Sequence, residues 1–267
     1  MPAVRRRLRF DRSAMTALAA ISLGMLGLFA GLLIGAVGIG GVILVPALVY
    51  FGGIPIHAAI AAAMMSYVLT GLIGTLVYAG KNSIRWGMAG WLCAGAMPAA
   101  LAGALAAGRA SSLLLEILIG LLTAASGVRA LPASPSDDGA RSDAISNPAL
   151  GFIGAVTGFG SALSGTGGPL ILVPILIWLE LPVLTAIALS QAIQLPIALL
   201  ATAGNAWSGN LDLTLGVLLA AGLAVGTFVG ARIAHAVPRA LLRRAVAIVL
   251  VAVGAAITIK VIARLVA

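Results

Sequence analysis

The sequence predicts an all-α polytopic membrane bundle of about eight transmembrane helices in two tandem repeats, with helices one and five broken at glycine-rich segments. Three observations lead there. Hydrophobic residues make up 61% of the chain and charged residues 9%, too little polar surface to coat a water-soluble globule. Asp, Glu, Lys and Arg are all absent between Arg12 and Lys81 and again between Asp143 and Glu180, so apolar runs of membrane length are easily found. Glycine-rich segments, Gly35 to Pro46 (GAVGIGGVILVP) and Gly158 to Pro174 (GFGSALSGTGGPLILVP), interrupt the first helix of each half.

The chain opens with a basic segment, residues 1–13, carrying Arg5, Arg6, Arg7, Arg9 and Arg12. The apolar run behind it is longer than the roughly 7 to 15 residues of a signal-peptide core, which predicts an uncleaved first helix. Continuous helix from Ala14 to Phe51 would be roughly 57 Å long against a hydrocarbon core of about 30 Å, so it must break or turn back. Gly38, Gly40, Gly41 and Pro46 mark the place.

The first membrane repeat, residues 14–131, continues with helices over Ile56 to Ala79, Trp86 to Gly108 and Ser112 to Leu131. Residues 132–147, rich in Pro, Ser and Asp, form a polar linker. The second membrane repeat, residues 148–267, holds a fifth helix containing the second glycine-rich segment. A sixth follows Pro182 to about Gly204, a seventh spans Leu213 to Ala236, and an eighth spans Leu241 to Ile262.

A constant shift of 127 residues relates the halves, placing Gly38, Gly40 and Gly41 on Gly165, Gly167 and Gly168. The same shift carries Pro55 to Pro182, Thr75 to Thr202, Gly95 to Gly222 and Gly103 to Gly230. Pro46 and Pro174 need a slip of one residue. Eight crossings with the N-terminus inside gather most Lys and Arg, including Lys81 and Arg85, on the cytoplasmic side of the inner membrane. That version makes the repeats parallel. A true reversal at each break would instead invert them.

Broken helix is tolerated in a bilayer only where the freed backbone groups are buried in protein or face a wet cavity. A helix restarting after Gly167 and Gly168, with Pro169 in its first turn, presents free N–H groups at the positive end of its dipole. That geometry binds anions without a charged side chain. Gly38, Gly40 and Gly41 supply it from the other half. Ser161, Ser164 and Thr166 add hydroxyls, and Gln191 and Gln194 add amides, so the polar lining is concentrated in the second repeat. The expected substrate-binding set is therefore Gly38, Gly40, Gly41, Ser161, Ser164, Thr166, Gly167, Gly168, Gln191 and Gln194, with Pro46, Pro169 and Pro174 as structural breaks. Small residues also serve close helix packing, and Ser or Gln also bonds neighbouring backbone.

These residues resemble a known family. GIGGVILVP and GTGGPLILVP, the starts IPIHAAIA and LPVLTAIA, and the polar central loop are similar to the TauE/SafE family, the sulfite exporter family of bacterial membrane transporters. The resemblance implies an inner-membrane permease for sulfite, organosulfonates or related organic anions, usually moved outward. Its signature falls on Gly38, Gly40, Gly41 and Pro46 and on Gly165, Gly167, Gly168 and Pro174. Val42 stands in the first copy where Pro169 stands in the second.

Other classes are weaker. HExxH, GxSxG and paired carboxylates are missing, so an enzyme is not expected. One cysteine, Cys93, and two histidines leave too few ligands for a conventional zinc site, and no cofactor is expected. The net charge of +9 belongs to membrane-flanking loops rather than to a nucleic-acid surface. A carrier for amino acids or other small metabolites is the alternative, since half-helix ends also bind carboxylates. Expected partners are a small anionic substrate and the lipid bilayer, with a homo-oligomer left open.

Overall fold

The computed structural model describes residues 17–38, 40–115, 117, 145–179, 181–234, 236, 255 and 259. Its helices are α1 (Ala17–Val37), α2 (Gly41–Tyr50), α3 (Ile56–Ala79), α4 (Trp86–Ala107), α5 (Asn147–Ser164), α6 (Pro169–Trp178), α7 (Val183–Trp207) and α8 (Leu213–Ile233). The described residues contain no strand. Segment 1–13, most of the helix expected over Ser112 to Leu131, most of the linker and nearly all of the helix expected over Leu241 to Ile262 lie outside them.

Local chemistry sets the boundaries, and it does so twice. α3 and α7 each start behind a proline, Pro55 and Pro182, and both prolines have φ −54. The N-cap of α8 is Asp212, whose carboxylate accepts the Leu215 N–H at 3.1 Å. α1 and α5 end at equivalent glycines in the left-handed region, Gly38 (φ +82) and Gly165 (φ +71). Only glycine adopts that conformation without a steric penalty, and it stops the helix there.

Beyond each stop the chain folds back. Gly40 lies against the Ala30 carbonyl and Ile34, and an added methyl at Gly160 would sit 2.7 Å from Ile171 Cδ1. Residues ten or eleven apart in an unbroken helix would be about 15 Å or more from one another. α2 thus returns beside α1, and α6 beside α5. Each broken helix is a hairpin of a long arm and a 10-residue arm.

The halves are interleaved. α1 lies along α8 of the other half, α5 lies along α4, and α3 crosses α7 at the centre. Glycine backbones make the long contacts: Gly27 meets Leu219, Gly31 meets Leu223 and Gly35 meets Thr227, so α1 and α8 run parallel. Moving both partners of a contact by 127 positions gives another observed contact. Gly27–Leu219 recurs as Gly154–Leu92, Gly31–Leu223 as Gly158–Ala96, and Gly24–Gly222 as Gly151–Gly95.

α3 and α7, equivalent under the same shift, run antiparallel, with Gly71 at Leu195 and Gly74 at Gln191. The second set of helices therefore points opposite to the first. This corrects the parallel arrangement expected from the charge count, because the reversals at Gly38 and Gly165 each turn the chain once more. It also moves Lys81 and Arg85. Tyr78, at the end of α3, donates to the carbonyl of Gly35 near the end of α1 at 3.0 Å. The turn behind Tyr78 lies at the opposite end of the molecule from the start of α1.

Among the described residues four helices are long and apolar enough to cross a membrane: α3, α4, α7 from Leu184 onward, and α8. α3 and α7 are the most enclosed, whereas α4 and α8 present exposed Met97, Leu101, Val217, Val225 and Phe228. Outward apolar surface of this kind suits lipid. Trp86, Trp91 and Trp207 are exposed at helix ends, as interfacial anchors would be.

Candidate functional site

The fold-back brings the starts of the two short helices together. A methyl added at Gly41, the first residue of α2, would strike the Thr166 carbonyl, and one added at Gly38 would lie 3.0 Å from Pro169 Cβ. Behind them Val42 and Leu170 pack on each other with Leu33 and Val37. Gly38, Gly40, Gly41, Thr166, Gly167 and Gly168 are all buried. Two helix starts, each leaving early N–H groups without intrahelical partners, meet here, and none of the described residues buried beside them is charged.

α3 and α7 wall this centre. The Tyr67 hydroxyl donates to the Gly41 carbonyl at 3.3 Å, and its ring lies 3.4 Å from where a Gly167 side chain would begin. Gln194 Nε2 lies 3.6 Å from that same position and donates to Thr70 Oγ1 at 2.8 Å. Thr70 in turn donates to the Tyr67 carbonyl at 3.1 Å. Gln191 Nε2 donates to the Ile34 carbonyl in the last turns of α1 at 3.0 Å, and Gly74 leaves room for its amide oxygen.

α5 carries the hydroxyls. Ser164 Oγ donates to the Gly160 carbonyl at 2.7 Å and lies 2.8 Å from Thr166 Oγ1, fixing the turn that leads into α6. Ser161 sits about one turn earlier, fully buried, with no partner for its hydroxyl. The structure thus gathers Gly38, Gly40, Gly41, Ser164, Thr166, Gly167, Gly168 and Gln194 around the junction. Gln191 is held instead on the Ile34 carbonyl, and Ser161 lies one turn before Ser164 on α5.

The prolines behave differently from one another. Pro169 opens α6, as expected. Pro46 and Pro174 are not breaks: both lie inside their helices, which continue through them. Each forfeits only the bond to a carbonyl four residues back, that of Val42 or Leu170, while the glycines upstream carry the reversal.

Three residues were missed by the sequence reading. Tyr67 occupies the position equivalent to Gln194, so the repeat itself marked it. Thr70 is visible only through its bond to Gln194. Thr157, buried and unpartnered, precedes Ser161 by one helical turn and shares its spacing.

Such a centre, two buried half-helix starts in an inverted pair of hairpins, is the kind of site membrane carriers use. The family model described as Sulfite exporter TauE/SafE matches residues 23–257. The chain belongs to the sulfite exporter TauE/SafE family. Both breaks and every helix named above except the start of α1 fall inside the match. No curated protein and no solved structure matches the chain. As a TauE/SafE member it is a multi-pass membrane transporter and not an enzyme. The junction of α2 and α6 is where its glycine signatures converge.

Proposed function

We propose that the protein exports a small anion, sulfite or a related organosulfonate, across the inner membrane, with the α2 and α6 starts as the binding site. The observation that carries this reading is the meeting of two buried helix N-termini, Gly41 against Thr166, with no carboxylate or cation among the described residues buried beside them. Converging N–H groups hold negative charge through hydrogen bonds and the helix dipole.

Outward movement is the energetically simple direction. Moving one negative charge out of an inside-negative cell is favoured by about 2.3 kcal/mol per 100 mV, so no proton relay is needed. Two inverted repeats, each a broken helix followed by three more helices, with the N-terminus in the cytoplasm, complete the reading, and rocking one hairpin set against the other would alternate access. The test is thermal unfolding of the purified protein with added solutes: sulfite or a sulfonate raises the midpoint, whereas neutral solutes do not. Stabilisation by neutral amino acids or sugars alone would refute it.

A further inference from the structure

Three side-chain hydrogen bonds tie the first hairpin to the centre of the bundle. Gln191 Nε2 on α7 donates to the Ile34 carbonyl at 3.0 Å, the Tyr78 hydroxyl on α3 donates to the Gly35 carbonyl at 3.0 Å, and the Tyr67 hydroxyl on α3 donates to the Gly41 carbonyl at 3.3 Å. Ile34 and Gly35 lie in the last turn of α1, among the carbonyls a helix end leaves short of partners, and Gly41 opens α2. Both arms are held. α3 and α7 are in turn tied to each other, through Thr75 Oγ1 donating to the Gln191 carbonyl at 3.1 Å and through Thr70 and Gln194 at 2.8 Å. The first hairpin belongs to that frame.

Moving each pair by 127 positions shows what the second hairpin lacks. The carbonyls of Ser161, Ala162 and Gly168 stand for those of Ile34, Gly35 and Gly41, and Met64, Asn205 and Gln194 stand for the three donors. Met64 has nothing to donate. Asn205 Nδ2 donates to the Ala201 carbonyl of its own helix at 2.9 Å, and Gln194 is engaged with Thr70. Among the described residues, no side chain of another helix hydrogen-bonds α5 or α6. Their contact with the frame is aliphatic: Gly165 lies against Ile60 of α3, and Gly168 against Ile193 and Ile197 of α7. Such contacts are non-directional and tolerate sliding. Thr157 and Ser161, fully buried on α5, also keep hydroxyls without partners, which is costly and which a shifted α5 can relieve.

Resting on the reading of the α2 and α6 starts as an anion site, we infer that α5 and α6 are the moving part of the carrier, sliding against a frame of α1, α2, α3 and α7. Gln191, Tyr67 and Tyr78 are positioning residues that keep the other hairpin still. Half of the anion site is then fixed and half travels, so the junction opens by movement of the α6 start.

Hydrogen–deuterium exchange of the purified full chain, read by mass spectrometry over Gly38 to Tyr50 and over Gly165 to Trp178, compares the hairpins directly. The second is expected to exchange about tenfold faster or more, and sulfite to slow it more than the first. Tyr78→Phe removes one anchoring hydroxyl and is expected to speed exchange in the first hairpin about fivefold, the worth of one hydrogen bond, leaving the second unchanged. Met64→Gln places a donor where the repeat puts the Ser161 carbonyl. It is expected to slow exchange in the second hairpin and to cut sulfite efflux from proteoliposomes severalfold, while sulfite still raises the unfolding midpoint as in the wild type. Should either variant not fold, the wild-type comparison decides alone.

Equal exchange in the two hairpins, or faster exchange in the first, overturns the inference and leaves the anion site standing. Undiminished efflux through folded Met64→Gln with its second hairpin slowed overturns it too. Faster exchange in the second hairpin with no effect of sulfite on exchange or unfolding upholds the free hairpin and overturns the anion site.

Discussion

The two glycine-rich turns of this protein make the same reversal but differ in lining and, at Gly40 (φ −63) and its equivalent Gly167 (φ +75), in backbone. Gly38 and Gly165 both take left-handed dihedrals, both end a long helix, and both send a 10-residue helix back along it. Around the second turn stand Ser161, Ser164, Thr166, Gln191 and Gln194; the equivalent residues of the first half are Ile34, Val37, Ile39, Met64 and Tyr67. The repeat supplies the geometry of helix starts, which is indifferent to side chains. Divergence of the second copy adds buried hydroxyls and amides.

The sharpest way to break the equivalence of the long helix contacts is to overfill both. Gly31→Leu pushes a side chain into the backbone of α8 at Leu223, and Gly158→Leu does the same to α4 at Ala96. Each is expected to cost about 3 kcal/mol or more, because backbone cannot give way as a side chain can. Loss of monodisperse protein on size exclusion should be similar for the two. Failure of only one would mean that the halves are not structurally equivalent.

A smaller effect is expected at the turns. Gly38→Ala and Gly165→Ala each force a Cβ into the left-handed region, at a cost of about 1–2 kcal/mol. Matching drops in unfolding midpoint would sharpen the comparison. The smallest effect separates the linings: Thr166→Val should weaken sulfite binding about fivefold, by removing the hydrogen bond to Ser164 that fixes the turn into α6, whereas Val37→Ala should leave it unchanged. Equal losses in a binding titration would erase the asymmetry.

Much of this plan was legible in the sequence. The broken helices follow from length and glycine placement, and the repeat follows from glycines and prolines at one offset. The direction after each break was not legible, because a continuing and a returning helix have the same hydropathy. Gly40 packing on Ala30 decides it, and that is tertiary structure. Charge counting then misled, since one added reversal per half moves Lys81 and Arg85 to the other end. Pro46 and Pro174 were over-read for a similar reason: a proline marks a lost hydrogen bond, not necessarily a turn. Tyr67 carried no sequence signal beyond its place opposite Gln194 in the repeat, although its hydroxyl reaches Gly41. Which hydroxyls and amides would remain unpaired, as Ser161 and the two glutamines do, depends on packing that no spacing encodes.

The central claim is that an anion passes where the α2 and α6 starts meet. Its most direct test is efflux of preloaded sulfite from proteoliposomes under an imposed inside-negative potential, comparing wild type with Gly167→Leu. Gly167 has φ +75 and faces the Tyr67 ring, so leucine there is strained and fills the junction. Potential-driven efflux in the wild type, lost in a variant that still elutes as folded protein, is the predicted result. Undiminished efflux through the folded variant would contradict the account.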